Sequence, residues 1–319
     1  MRKQHFFTLS LFLFFTLCSM AQSSKVYVTR EITPQSLVKI YKMLGRKAEG
    51  KVAVKISTGE SEKTGYLRPD FIKPLLDEVH GTIVECNTAY GGSRCTTEKH
   101  LQAVKERGFS AAAPVDIMDS IADWKIPVMD TTHIKYDIVG EHIKRYDFMI
   151  NLAHFKGHQM GGFGGVLKNA SIGVASSAGK AYIHSAGYTT DVNDAWNHIE
   201  DQDGFLESMA AAAQAVHNYF NMGDNILYIS VMTKMSIDCD CNGNPDKPLI
   251  EDYGILASLD PVALDQATYD IVTKIHNDAH NNTKPLLDRI AKQHGTHTID
   301  WAEKIGLGTK NYTLVSIDM

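Results

Sequence analysis

YDFMINLAHFKGHQMGGFGGVLKN, residues 146–169, is the stretch whose reading decides the fold. Its first nine residues are mostly apolar, β-prone side chains with neither Gly nor Pro, the pattern of a buried strand. The chain then breaks into glycines and resumes as a helix starting near Val166. A buried strand running through a loop into a helix is the repeating unit of an α/β protein. The alternation continues outward on both sides. Upstream, residues 26–28, 51–57 (KVAVKIS) and 82–86 read as strands. Helices fall between and after them: 34–47 with Thr33 as N-cap, 70–79 stopped by Gly81, and 96–107 ended by Gly108. Downstream, helices over 204–220 and 261–275 alternate with strands over 226–232 and 312–317. Asp260 caps the second of these helices and Pro261 opens it. The expectation is an α/β fold, a mainly parallel sheet flanked by helices, with ligand-binding loops at the carboxyl ends of the strands. A division into two lobes near residue 145 is compatible with the pattern, but no linker marks it.

Composition narrows the function. The 319 residues carry 32 Lys and Arg against 37 Asp and Glu, with 14 His, 5 Cys and a hydrophobic fraction of 44%. That is too apolar for disorder, and a net charge of −5 leaves no electrostatic footprint for nucleic acid. Five cysteines in this length do not form a disulfide scaffold. Residues 1–21 read as a secretory signal peptide: Arg2 and Lys3, an apolar run over 6–17, and the small-x-small site Ser19-Met20-Ala21. The run falls short of the roughly 20 residues that span a bilayer. Cys18 follows Phe15-Thr16-Leu17 and lacks the small residue of a lipobox. The chain is therefore expected to be exported, to the periplasm or cell envelope, with residues 22–319 as one domain and no transmembrane segment after cleavage. Cys86, Cys95, Cys239 and Cys241 remain, in a compartment that admits disulfides.

Three tracts could do chemistry. In the opening stretch, Gly161, Gly162, Gly164 and Gly165 leave backbone N–H groups uncovered between His154, His158, Lys168 and Asn169, and His184 follows. A helix N-terminus near Val166 favours an anion. Lys168 would sit in the first turn, against the local field, as a residue answering to a ligand does. The packing alternative is a tight turn with surface histidines. The second tract is DCDCNG, 238–243. On an extended backbone Cys239 and Cys241 project to one side. A bond between them would be strained, so they either chelate a soft metal or pair elsewhere. The third is CNTAYGGSRC, 86–95, where Arg94 could hold a carboxylate bidentately and Cys86 and Cys95 could close a small disulfide loop. His198 and His217 lie in helical stretches as surface or core residues.

Taken together, residues 86–109, 151–185 and 238–272 resemble the domain-of-unknown-function 362 family, often labelled an uncharacterised iron–sulfur centre protein, over nearly the whole mature chain. Usual members carry a two-cluster ferredoxin insert after the His-Ser pair. Here residues 186–203 hold no Cys, so no ferredoxin-type cluster motif is present. The resemblance implies a metal role for Cys239 and Cys241. A more distant likeness is to the nickel-pincer lactate racemases: His158, Lys168 and His184 follow one another at separations of ten and sixteen residues. It implies an acid/base, a cofactor anchor and a metal ligand respectively. Ser93 stands where those racemases have a further catalytic His, and a chain exported unfolded could not carry a cofactor loaded in the cytoplasm.

The function expected is an exported protein with a metal- or anion-binding pocket that acts on a small anionic molecule as an oxidoreductase or isomerase. His158, Lys168 and His154 are its catalytic candidates. Arg94, Gly161, Gly162, Gly164, Gly165 and Asn169 are its ligand-binding candidates. Cys239, Cys241 and His184 are its candidate ligands for a transition metal ion. The alternative is a non-catalytic metal- or ligand-binding protein of the cell envelope. Neither reading sets an oligomeric state.

Overall fold

The computed structural model describes residues 23–318, so the signal-peptide reading lies outside the described residues. The strands and helices follow one another as β1 (Ser24–Thr29), α1 (Pro34–Met43), β2 (Val52–Lys55), α2 (Pro69–Val79), β3 (Thr82–Glu85), α3 (Thr97–Glu106), α4 (Phe109–Ala112) and β4 (Val115–Ile117). Next come β5 (Asp123–Ile126), β6 (Asp137–Gly140), β7 (Phe148–His154), β8 (Lys156–His158), β9 (Gly162–Gly164), α5 (Val166–Ala170), α6 (Ser177–His184) and α7 (Gln202–Tyr219). The chain closes with β10 (Ile226–Met232), β11 (Gly254–Ser258), α8 (Pro261–Lys274), α9 (Lys284–Lys292), α10 (His297–Lys304) and β12 (Tyr312–Ser316). No described helix is long and apolar enough to cross a membrane.

Eight strands form one sheet in the order β12-β1-β11-β10-β7-β2-β3-β4. The ladders from β4 through β3, β2 and β7 to β10 are parallel, and β11 runs against both its neighbours. The fold is thus the expected α/β arrangement with a mostly parallel sheet. One sheet crosses the residue-145 region, because β7 pairs with β2 on one side and β10 on the other. Every residue of β7 and β10 is buried, as central parallel strands covered on both faces must be. The pleat divides β7 between two cores. Phe148, Ile150 and Leu152 pack with Leu37, Ile40 and Ile72 of α1 and α2. Met149 and Ala153 pack with Val166, Ala213 and Val262 of α5, α7 and α8.

Caps follow local chemistry. Thr33 accepts from the Ser36 amide at 3.0 Å and Asp260 from the Val262 amide at 2.9 Å. The stop of α2 differs from expectation. His80, not Gly81, takes the left-handed turn, with φ 49°. Gly81 is required for packing, since a Cβ there would lie 2.7 Å from Val54 Cγ2.

Candidate functional site

Parallel strands end at a common edge, and here three of them deliver charged or polar side chains to it: Lys55 from β2, Glu85 from β3 and His154 from β7. These residues open on a cavity of about 380 Å³. The 86–95 loop, β8, α5, α6 and the Cys239–Cys241 turn complete its walls. Lys55, Arg94, Lys156, Lys168 and Lys180 line it against the carboxylates of Glu85 and Asp240. The cavity therefore carries an excess of cationic groups.

On the β2–β3 side every charge has a partner. Lys55 Nζ donates to Glu85 Oε2 at 3.1 Å, Asn169 Oδ1 at 3.2 Å and the Ile56 carbonyl at 2.5 Å. Burial lowers the Lys55 pKa against the pull of Glu85. Burial would raise the Glu85 carboxyl, but the charges of Lys55 and Arg94 outweigh it and hold it well below the usual carboxylate range. His100 itself is pushed down by burial to about 3 and stays neutral. The expectation that Arg94 waits for a ligand carboxylate is corrected. Its guanidinium is buried and already meets Glu60 Oε2 at 3.1 Å, Glu85 Oε1 at 3.4 Å and the Tyr90 hydroxyl at 3.1 Å. Asn169 lines the cavity but bridges protein groups, with Nδ2 on the Lys55 carbonyl and on Asn151 Oδ1. Cys86 and Cys95 are not bonded. The Cys86 thiol donates to the Val174 carbonyl at 3.1 Å, and burial raises its pKa.

The glycine tract also works differently from the expectation. The α5 N-terminus does attract an anion, but the anion is the protein's own. Asp265 Oδ1 and Oδ2 accept the Val166 and Leu167 amides at 2.8 and 2.9 Å. Burial pushes the Asp265 carboxyl up to about 7. Gly165 makes room for it, since a Cβ there would stand 2.2 Å from Asp265 Oδ1. Gly164 and Gly165 border the cavity, whereas Gly161 and Gly162 do not line it. The Gly161 amide donates to His158 Nδ1 at 2.8 Å. Gly162, at φ 76°, packs against Gly295.

The three histidines separate by their free nitrogens. His154 has none: Nδ1 faces the Asp240 carboxylate at 3.2 Å and Nε2 the Thr233 carbonyl at 2.6 Å. It is a clamp on Asp240, which also meets Lys156 Nζ at 2.8 Å. Burial would raise the Asp240 carboxyl, but Lys156 and His154 hold it well below its ordinary value. His158 accepts backbone amides at Nδ1, and burial, followed by the Lys168 charge, drives its pKa down. Its neutral ring therefore carries the proton on Nε2. His184 is the reverse. Nδ1–H donates to the Lys180 carbonyl at 2.7 Å, which fixes the tautomer and leaves the Nε2 lone pair without a partner among the described residues. Its ring stacks 4.9 Å from Phe205, and burial lowers its pKa to about 4.

Lys168 projects from α5 into the cavity with no hydrogen-bond partner for Nζ among the described residues. Burial first, then Lys156, Lys55 and Arg94, bring its pKa down to about 7.

Cys239 and Cys241 are bonded to each other, contrary to expectation. The backbone between them is not extended. The Asn242 amide donates to the Cys239 carbonyl at 3.0 Å, closing a turn that brings the Cα atoms to 5.2 Å, inside the disulfide range. The set close enough for a metal also changes: a ring nitrogen of His158, not His184, lies within 4.8 Å of both sulfurs. As a disulfide the pair offers no thiolate, so a soft metal fits these three residues only after reduction. Lys55, Glu85, Lys156, Lys180 and Asp240 were not singled out from sequence. Lys180 carried a usable signal, one helical turn ahead of His184 in SAGKAYIHS.

Residues 52–270 match the family described as Domain of unknown function (DUF362), over more than half the chain, and the chain belongs to that family. Among solved structures it is similar to the lactate racemase apoprotein from Thermoanaerobacterium thermosaccharolyticum, at a TM-score of 0.42 and 14% identity, covering 80% of this chain and 58% of that one. It is also similar to a structural-genomics target from Thermotoga maritima, at 0.41 and 10%, covering 86% and 59%. The chain thus spans less than two thirds of either, and likenesses this remote carry no argument about chemistry. No curated protein matches it.

Proposed function

For this DUF362 member we propose a pocket that binds a small anionic molecule and transforms it by moving a proton or a hydride, as an isomerase or oxidoreductase, in an exported protein of the periplasm or cell envelope. The observation that supports it is Lys168: a half-buried amine facing a cavity in a cationic field, with no carboxylate in ion-pair contact with it among the described residues. A bound carboxylate or phosphate supplies the missing partner and draws a proton onto the amine. His184 complements it with a neutral imidazole whose Nε2 is free to take a proton from the ligand or to ligate a metal. Calorimetry of the natively purified protein with a panel of small carboxylates and phosphate esters tests the reading. Lys168→Met should weaken binding at least ~10-fold, about 1.4 kcal/mol. His184→Gln should retain binding and lose turnover. Binding that is unchanged in Lys168→Met would remove the reading. The alternative, a non-catalytic binding protein, keeps the same residues and gives stoichiometric binding with no turnover in either protein.

A further inference from the structure

Cys239 and Cys241 form a nucleophilic pair that the proposed anion chemistry leaves unused. Both line the cavity. Cys239 is 2% exposed and Cys241 is half-buried, so an entering molecule reaches the Cys241 sulfur first. The turn is held by groups other than the S–S bond. Asp240, between the cysteines, is gripped by Lys156 and His154. Asp238 meets Asn242 Nδ2 at 2.9 Å and Arg289 Nη1 at 3.5 Å. These anchors persist when the bond opens. A purely stabilising role explains the bridge poorly, because a three-residue loop removes little entropy from the unfolded chain. Cys86 lines the same cavity as a single thiol tied to a backbone carbonyl, and it has no sulfur partner.

We infer that Cys239–Cys241 is a redox-active disulfide that accepts two electrons from small anionic thiols entering the cavity, an inference that rests on the cavity being a site for small anions. A thiolate attacks the Cys241 sulfur, the bond to Cys239 breaks, and Cys239 leaves as a thiolate. The departing charge forms in the field of Lys156 and Lys168, with His158 within 4.8 Å. A second thiolate attacks the sulfur of the first in the mixed disulfide, forming the external disulfide and releasing Cys241. Two thiols are oxidised, one protein disulfide is reduced, and both cysteine thiolates take protons from water.

The test measures the opening of the disulfide in the folded protein by quenched alkylation and peptide mass. The probes are 3-mercaptopropionate, which is anionic, and 2-mercaptoethanol, which is neutral, each rate divided by the thiolate present. The expected result is at least a tenfold advantage for the anionic thiol. That advantage should shrink between low and high salt and collapse in Lys168→Met. Equal rates for the two thiols, or no reaction until the protein unfolds, would overturn the inference. Calorimetry of a carboxylate on the oxidised protein separates the two ideas: binding there with an inert disulfide leaves the anion pocket standing alone.

Discussion

Lys55 and Lys168 are both lysines set into one cavity, and they have opposite surroundings. Lys55 meets a carboxylate, an amide oxygen and a carbonyl. Lys168 meets nothing among the described residues, although α5 holds it only a turn from the protein's own buried carboxylate, Asp265. The wall around Lys55 is internally neutralised and serves the fold. The wall around Lys168 is left electrically incomplete, which is the feature the proposed anion would answer. A buried cation with all its partners is structural material, and a cavity cation without them is the candidate for meeting a ligand.

The strongest way to break that contrast is Glu85→Gln. It strands Lys55 and Arg94 without their shared carboxylate, and should cost about 3–5 kcal/mol in a urea titration. A loss below about 1 kcal/mol would mean the first wall is no more committed than the second. Next is the pH dependence that Lys168 imposes. Its folded pKa of about 7 lies below the ordinary lysine value of 10.5, so between those values the unfolded chain holds more protons. Stability should therefore rise with pH across that window. Lys168→Met should abolish the rise and be no less stable at neutral pH, as followed by denaturant midpoints at several pH values. The smallest effect is expected at Asp265, which has donors but no cation. Its folded pKa of about 7 lies above the ordinary aspartate value of 3.8, so its contribution fades as pH climbs between them. Asp265→Asn should cost about 1 kcal/mol near pH 4, and the gap should close and then reverse before pH 8 in thermal melts, because the wild-type carboxyl must ionise against its burial.

The fold was legible where a single local rule governs. The ILYISVM strand and the Asp260-Pro261 helix start emerged at their observed positions because burial and capping are written in adjacent residues. β11, a short Gly-led strand, and the β8–β9 hairpin, built largely on glycines, have no such pattern and depend on their neighbours. The site divides the same way. Lys168 and His184 were singled out as members of one tract and both line the cavity. The expected conflict with the helix field does not arise at Lys168: α5 has only five residues, so Lys168 stands in its last turn and is not a misplaced cation. Arg94 was misread because its partner Glu60 lies 34 residues upstream, and nothing local says which carboxylate reaches it. The cysteine pair was misread because one hydrogen bond, from Asn242 to Cys239, turns a supposedly extended segment back on itself.

β1 pairs on one side with β11, Tyr27 opposite Ala257, and on the other with β12, Tyr27 beside Val315. Both partners are made more than two hundred residues later. During synthesis the earliest described strand thus waits, with an apolar Val26 and Val28 and two open edges, until almost the whole chain has followed. The order of manufacture and the order of assembly run in opposite directions. For that interval its protection from wrong partners must come from outside the sheet it will join.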